Sequence, residues 1–222
     1  MPKRPKTESK TAGPERRGRG LLPLLFAVLL FASVLLSYAL AVGINSFFEG
    51  IMGEKTQAEL EAPFVEELLK PLGLVVLAIT LTRAKRIGRA GIDWLRSIKA
   101  CYAIGYASGL VFGLLENWLS YEKFSGFRAA TPFSHALGAG MVGVGIYYVL
   151  TRGKGGLGRF AFLYSVAVLL HFAWNNIESR TTLGVLGVCE TIIGIATFLL
   201  VLIAACTKGF DQKKRKNRFF AL

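Results

Sequence analysis

Six long apolar runs dominate the chain, at residues 21–48, 64–82, 100–120, 132–151, 161–177 and 184–207, each bounded by charge, Gly or Pro. A helix of ~20 residues, rising ~1.5 Å per residue, covers the ~30 Å hydrocarbon core of a bilayer and satisfies its own backbone hydrogen bonds. Six such runs in 222 residues leave little chain for a soluble domain. The expected fold is all-α, a polytopic bundle of about six transmembrane helices over residues 21–207, with tails at 1–20 and 208–222. Composition agrees, since 53% of the residues are apolar and only 18% charged.

The formal charge of +13 invites a nucleic-acid reading until the basic residues are located. Seven lie in the first 20 residues, six in 83–99, three in 152–160 and six in the C-terminal tail. Lys55, Lys123, Arg128 and Arg180 fall in the alternate loops, and Lys70 lies inside a run. Short cytoplasmic loops hold Lys and Arg, so both termini are expected to be cytoplasmic. Residues 213–218, basic and close to a span, suit anionic lipid headgroups rather than nucleic acid. Residues 1–20 are expected to be disordered, and the loop around Trp94 has the spacing of a short interfacial amphipathic helix. Ala39-Leu40-Ala41 imitates a signal-peptidase site, but the apolar run before it exceeds a secretory h-region, so the first span is expected to be retained. Cys101, Cys189 and Cys206 form neither a C-x-x-C pair nor a disulfide framework.

Ionisable groups inside a span are penalised by on the order of 2.5 to 3.5 kcal/mol each, which makes them functional candidates. They are Glu66, Glu67 and Lys70 in the second run, Glu116 in the third, His135 in the fourth, His171 in the fifth and Glu190 in the sixth. With the topology above, Glu66, Glu67, Glu116, His135 and His171 all come within roughly 5 to 10 Å of the outer interface. Glu66 and Lys70 are four apart and can pair; His171 and Asn175 share a face in the same way. Glu67 is turned ~100° from Glu66, so one glutamate is expected to face the site and the other a neighbouring helix. Two imidazoles and a carboxylate are enough for a zinc with an open fourth position, and a further carboxylate can take a proton from water. On residue chemistry alone an enzyme, a transporter or proton pathway, and buried structural polars all remain open. Gly105, Gly109 and Gly113, with Gly138, Gly140, Gly143 and Gly145, are expected to let the third and fourth helices approach closely.

Four segments resemble the PrsW family of membrane-embedded proteases, distant relatives of the type II CAAX prenyl endopeptidases. Pro63-Phe64-Val65-Glu66-Glu67-Leu68-Leu69-Lys70 is similar to its glutamate pair followed by a basic residue. Phe112 with Gly113-Leu114-Leu115-Glu116-Asn117 resembles its F-x-x-x-E-N segment, His135 its isolated histidine, and His171-Phe172-Ala173-Trp174-Asn175 its H-x-x-x-N. The similarity runs from about residue 60 to 180 and leaves the first and sixth spans outside. The prenyl endopeptidases have a histidine where this chain has Glu116 and an arginine one residue later than Lys70, so no prenylated substrate is expected.

The resemblance implies an intramembrane endopeptidase that cuts a membrane-associated protein, here near the extracytoplasmic face of the cell membrane. It implies zinc, with metal-free activation of water by glutamate as the other route. Glu116, His135 and His171 are the implied ligands, Glu66 and Glu67 the catalytic pair with Glu67 as general base, and Asn175 the oxyanion donor. Exchanging the roles of Glu67 and Glu116 fits nearly as well. Lys70 and Asn117 stand behind this set, Lys70 holding Glu66 ionised. Glu190 matches no motif and is read as a helix-packing or cavity residue. A transporter with a Glu/His relay and a silent scaffold are the rival readings, although the inner halves of the runs offer a relay little beyond Lys70.

Overall fold

The structure, a computed structural model, describes residues 21–83, 97–119, 128–175, 188, 189, 192–197, 199 and 200. Every element among them is helical. The two tails, the Trp94 loop, Cys206 and Glu190 lie outside the described residues.

Helix α1, Leu21–Met52, has 32 residues and no charge before Glu49. Its buried hydroxyls carry no unmet donors, because Ser33 and Ser37 donate back to the carbonyls of Leu29 and Ser33, at 2.7 and 2.9 Å. The helix stops at Gly53, whose φ of 84° is a conformation that glycine adopts without strain. A short turn, Glu54–Thr56, and a π-helical turn, Gln57–Glu61, then lead into α2, Ala62–Leu69.

The second apolar run, expected as one helix over 64–82, is broken: α2 ends at Leu69 and α3 begins at Leu72, continuing to Arg83. Pro71 is the cause. It has no N–H for the Glu67 carbonyl, and Leu74 N–H turns to the Pro71 carbonyl at 2.9 Å rather than to that of Lys70. The Lys70 carbonyl is instead capped by the Ser108 hydroxyl from the next helix. A freed carbonyl inside a membrane needs such a donor, because no lipid supplies one.

Helix α4, Ile98–Leu119, and α5, Thr131–Arg152, run antiparallel, with Gly105 beside Ala139, Gly109 beside His135 and Gly143 beside Cys101. At each of these glycines a Cβ would strike the carbonyl oxygen of the facing residue. The expected close packing is therefore present, backbone against backbone. Gly153 and the short 3-10 turn Gly153–Gly156 fold α6, Leu157–Asn175, back along α5, so that Tyr148 meets Arg159 at one end and His135 meets His171 further along.

Leu24–Met52, Ile98–Leu119 and Thr131–Asn175 are long and apolar enough to cross a membrane, the last containing both α5 and α6. The molecule is apolar outside and charged within. Phe31, Leu36, Phe162 and Leu169 stand more than half exposed, while Lys70 is wholly enclosed and Glu67, His135 and His171 nearly so. That inversion suits a lipid surround.

Candidate active site

The second, third, fourth and fifth runs bring their ionisable groups to one point. Lys70, at the end of α2, sits at its centre. Its ammonium lies 2.5 Å from Glu67 Oε1 and 3.5 Å from Glu66 Oε2, contacts Nδ1 of His135, and is 3.3 Å from Nδ1 of His171. The Phe112 ring of α4 lies against the same cation, with its centroid 5.2 Å away. A fully buried charge is tolerable only with partners of this kind.

Each histidine is held by its Nδ1 edge. His171 Nδ1 donates to Glu67 Oε1 at 3.0 Å, and the two imidazoles stand edge to face with centroids 5.0 Å apart. The Nε2 edges face the other two carboxylates: His135 Nε2 is 2.6 Å from Glu116 Oε2, and His171 Nε2 is 3.9 Å from Glu66 Oε2. Glu66, His135 and His171 thus offer one ligand atom each within 4.8 Å of one another. Among the described residues, Glu66 Oε2 is buried without a hydrogen bond, whereas His135 Nε2 has the Glu116 carboxylate beside it. Two imidazoles and a carboxylate at this spacing are a donor set close enough together to hold a metal ion.

A cavity of about 550 Å³ opens onto this group. Glu66, Glu116, His171 and Asn175 line it, together with Tyr38 and Asn45 of α1 and the wall formed by residues 54–59. Asn175 donates from Nδ2 to the Ala58 carbonyl at 2.8 Å, which fastens that wall to α6. Glu67 and Lys70 lie behind the lining, with the Glu67 carboxylate against Gly138 of α5.

Several sequence expectations change here. Both glutamates face the cluster rather than one, Glu66 on the cavity side and Glu67 on the inner side. Lys70 approaches Glu67, three residues before it, more closely than Glu66, four before it, at 2.5 against 3.5 Å. Glu66, not Glu116, completes the three-atom group with the histidines, and Glu116 pairs with His135 alone among them. Asn117 is buried on α4 and does not line the cavity.

Three contributors escaped the sequence reading. Asn45 donates to Glu66 Oε1 at 3.0 Å; it is the one amide side chain in an apolar run whose other polar residues are Ser33, Ser37, Tyr38 and Ser46. Ser108 caps the break at Pro71, and the proline itself was the clue. Gly138 looked like one more packing glycine, yet a Cβ there would stand 2.6 Å from Glu67 Oε2.

The family model for PrsW family intramembrane metalloproteases matches residues 20–205. The chain belongs to the PrsW family. The match takes in the first and most of the sixth run, so the family likeness extends well beyond residues 60–180, and the placement of Asn45 on Glu66 gives the first helix a physical reason to be part of it. No curated protein and no solved structure matches the chain. As a member of this family it is a membrane protein of protease type.

Proposed function

We propose that this PrsW-family protein is a zinc-dependent intramembrane endopeptidase that hydrolyses a peptide bond of a membrane-associated protein near the extracytoplasmic face of the cell membrane. The observation that carries this reading is the buried Glu66, His135 and His171 group, open to a cavity of about 550 Å³ inside a membrane protein. The distribution of Lys and Arg supports six spans with both termini cytoplasmic, the site towards the outer side, and basic tails lying on anionic headgroups.

Glu66, His135 and His171 would hold the metal, which when bound polarises a carbonyl and makes water acidic enough to attack at neutral pH. The protein's own groups do the rest. Glu67 accepts the Nδ1 hydrogen of His171 and so aims its Nε2 away from the Lys70 side, the orientation that a ligating histidine needs. Lys70 balances the charge of Glu66 and Glu67. Glu116, on the cavity wall beside His135, takes the proton of the attacking water on its carboxylate and returns it to the leaving nitrogen. Asn175 uses one amide hydrogen on Ala58 and keeps the second for the developing oxyanion.

The test compares new protein N-termini in membranes from cells making the wild type or Glu116→Gln. Termini present only with the wild type support proteolysis, and identical sets overturn it. Zinc content of the purified protein decides the metal. Near-stoichiometric zinc, lost in His135→Ala and His171→Ala, supports the ligand set. A folded, cleaving protein without zinc assigns the chemistry to glutamate-activated water alone.

A further inference from the structure

Thr131 is the first residue of α5 and lines the catalytic cavity with Glu66, Glu116 and His171. It is only 3% exposed, and its Oγ1 is buried with no hydrogen-bond partner among the described residues. A buried hydroxyl without a partner is unfavourable by roughly 1 to 3 kcal/mol, so one carried by a residue of the cavity wall calls for a ligand. Packing does not demand this residue either: the helix start is seated through its neighbour, since Gly113 of α4 abuts Pro132.

Its register is informative. Thr131 precedes His135 by four residues on α5, and Asn175 follows His171 by four on α6. Positions four apart share a helix face, and α5 and α6 are antiparallel with the two histidines in contact. Thr131 and Asn175 therefore form the next layer beyond the imidazoles, one from each helix, both on the cavity wall. The start of α5 also carries the positive end of its helix dipole, which favours an oxygen with partial negative charge there.

We propose that Thr131 is a substrate-binding residue whose hydroxyl donates a hydrogen bond to a backbone carbonyl of the bound polypeptide, one helical turn from the histidines. The ligand class is an extended peptide segment, since a single donor on a carbonyl reads backbone and not side chain. This rests on the protease reading above, which gave the site no contact to the substrate backbone outside the reacting carbonyl.

The experiment uses the full-length protein in detergent and a quenched fluorescent peptide copied from the sequence around the strongest terminus that depends on Glu116. Thr131→Val keeps the shape and removes the hydroxyl; Thr131→Ser keeps the hydroxyl. The expected result is a five- to fiftyfold loss of kcat/KM in Thr131→Val, chiefly through KM, with Thr131→Ser within about twofold of wild type, and a thermal unfolding temperature that is no lower in Thr131→Val and unchanged in Thr131→Ser. Cleavage by Thr131→Val at the wild-type rate overturns the inference, and so does equal impairment of both variants, which would make the methyl group the important part. A loss confined to kcat also overturns it, since that marks a donor to the transition state alone. If no terminus depends on Glu116, the protease reading falls and takes this inference with it.

Discussion

Asn45 Nδ2 donates to Glu66 Oε1 at 3.0 Å, a bond between residues 21 positions apart that joins the first helix to the buried Glu/His cluster. The other Glu66 oxygen lies 3.5 Å from the Lys70 ammonium, so Asn45 and Lys70 together hold the carboxylate from its two sides. A hydrogen bond to a charged group is worth about 1.5 to 3 kcal/mol, and ~1.4 kcal/mol is a factor of ten in rate. Asn45→Leu should lower kcat/KM roughly ten- to a hundredfold and lower the unfolding temperature modestly, since the same bond contributes to the folded state. Asn45→Asp, which sets a second negative charge beside Glu66, should lower kcat/KM further. Wild-type cleavage by Asn45→Leu would show that the bond has no part in aiming Glu66.

Lys70 and Glu67 form the most deeply buried ion pair among the described residues, 0% and 1% exposed at the side chain. Removing one member of such a pair leaves the other charge stranded, at a penalty of about 3 to 5 kcal/mol. Lys70→Met and Glu67→Gln should each lower the unfolding temperature in detergent by several degrees. The double variant removes both members of the pair, so it should regain part of that stability, and activity should stay low because Glu66 has lost its cation and His171 donates to a neutral amide in place of a carboxylate. Equal losses that simply add in the double variant would mean that the two side chains do not act as a pair.

The meeting of Glu66, Glu67, Lys70, Glu116, His135 and His171 was legible because charged groups in apolar runs are scarce and depth along a helix is simple arithmetic. What depth cannot supply is rotation within a layer. The choice between Glu66 and Glu116 as partner of the two histidines depends on how α2 and α4 are turned about their axes, and so does the nearness of Lys70 to Glu67 rather than to Glu66. Asn45 was hidden for another reason: an uncharged side chain in an apolar run carries no penalty large enough to mark it. Gly138 was read correctly as a place of close approach, but sequence does not say whether the approaching atoms belong to a backbone or to a carboxylate.

The break at Pro71 yields a separate prediction. Pro71→Ala restores an N–H for the Glu67 carbonyl and lets α2 and α3 join, which should rotate Glu66, Glu67 and Lys70 relative to the histidines. Activity should fall at least tenfold while stability stays level or rises. Ser108→Ala acts the other way: it leaves the Lys70 carbonyl without its donor, and stability should fall by about 1 to 3 kcal/mol. Thermal unfolding and cleavage measured on both variants check the pair. An active Pro71→Ala protein would mean that the broken helix is not needed to position the glutamates.

Gly109 and Gly138 separate packing from catalysis. At Gly109 a Cβ would meet the His135 carbonyl, and backbone cannot yield without parting α4 from α5, so Gly109→Ala should destabilise the whole bundle. At Gly138 the Cβ would stand 2.6 Å from Glu67 Oε2 and 3.1 Å from its Cδ, the far end of a side chain. That carboxylate can shift, but only by loosening its contacts with Lys70 and His171. Gly138→Ala should therefore unfold near the wild-type temperature and yet lose at least tenfold in kcat/KM. Shortening the neighbour relieves the clash, so adding Gly138→Ala to Glu67→Asp should bring little further loss beyond Glu67→Asp alone. If the two losses multiply instead, Gly138 acts through something other than the Glu67 carboxylate.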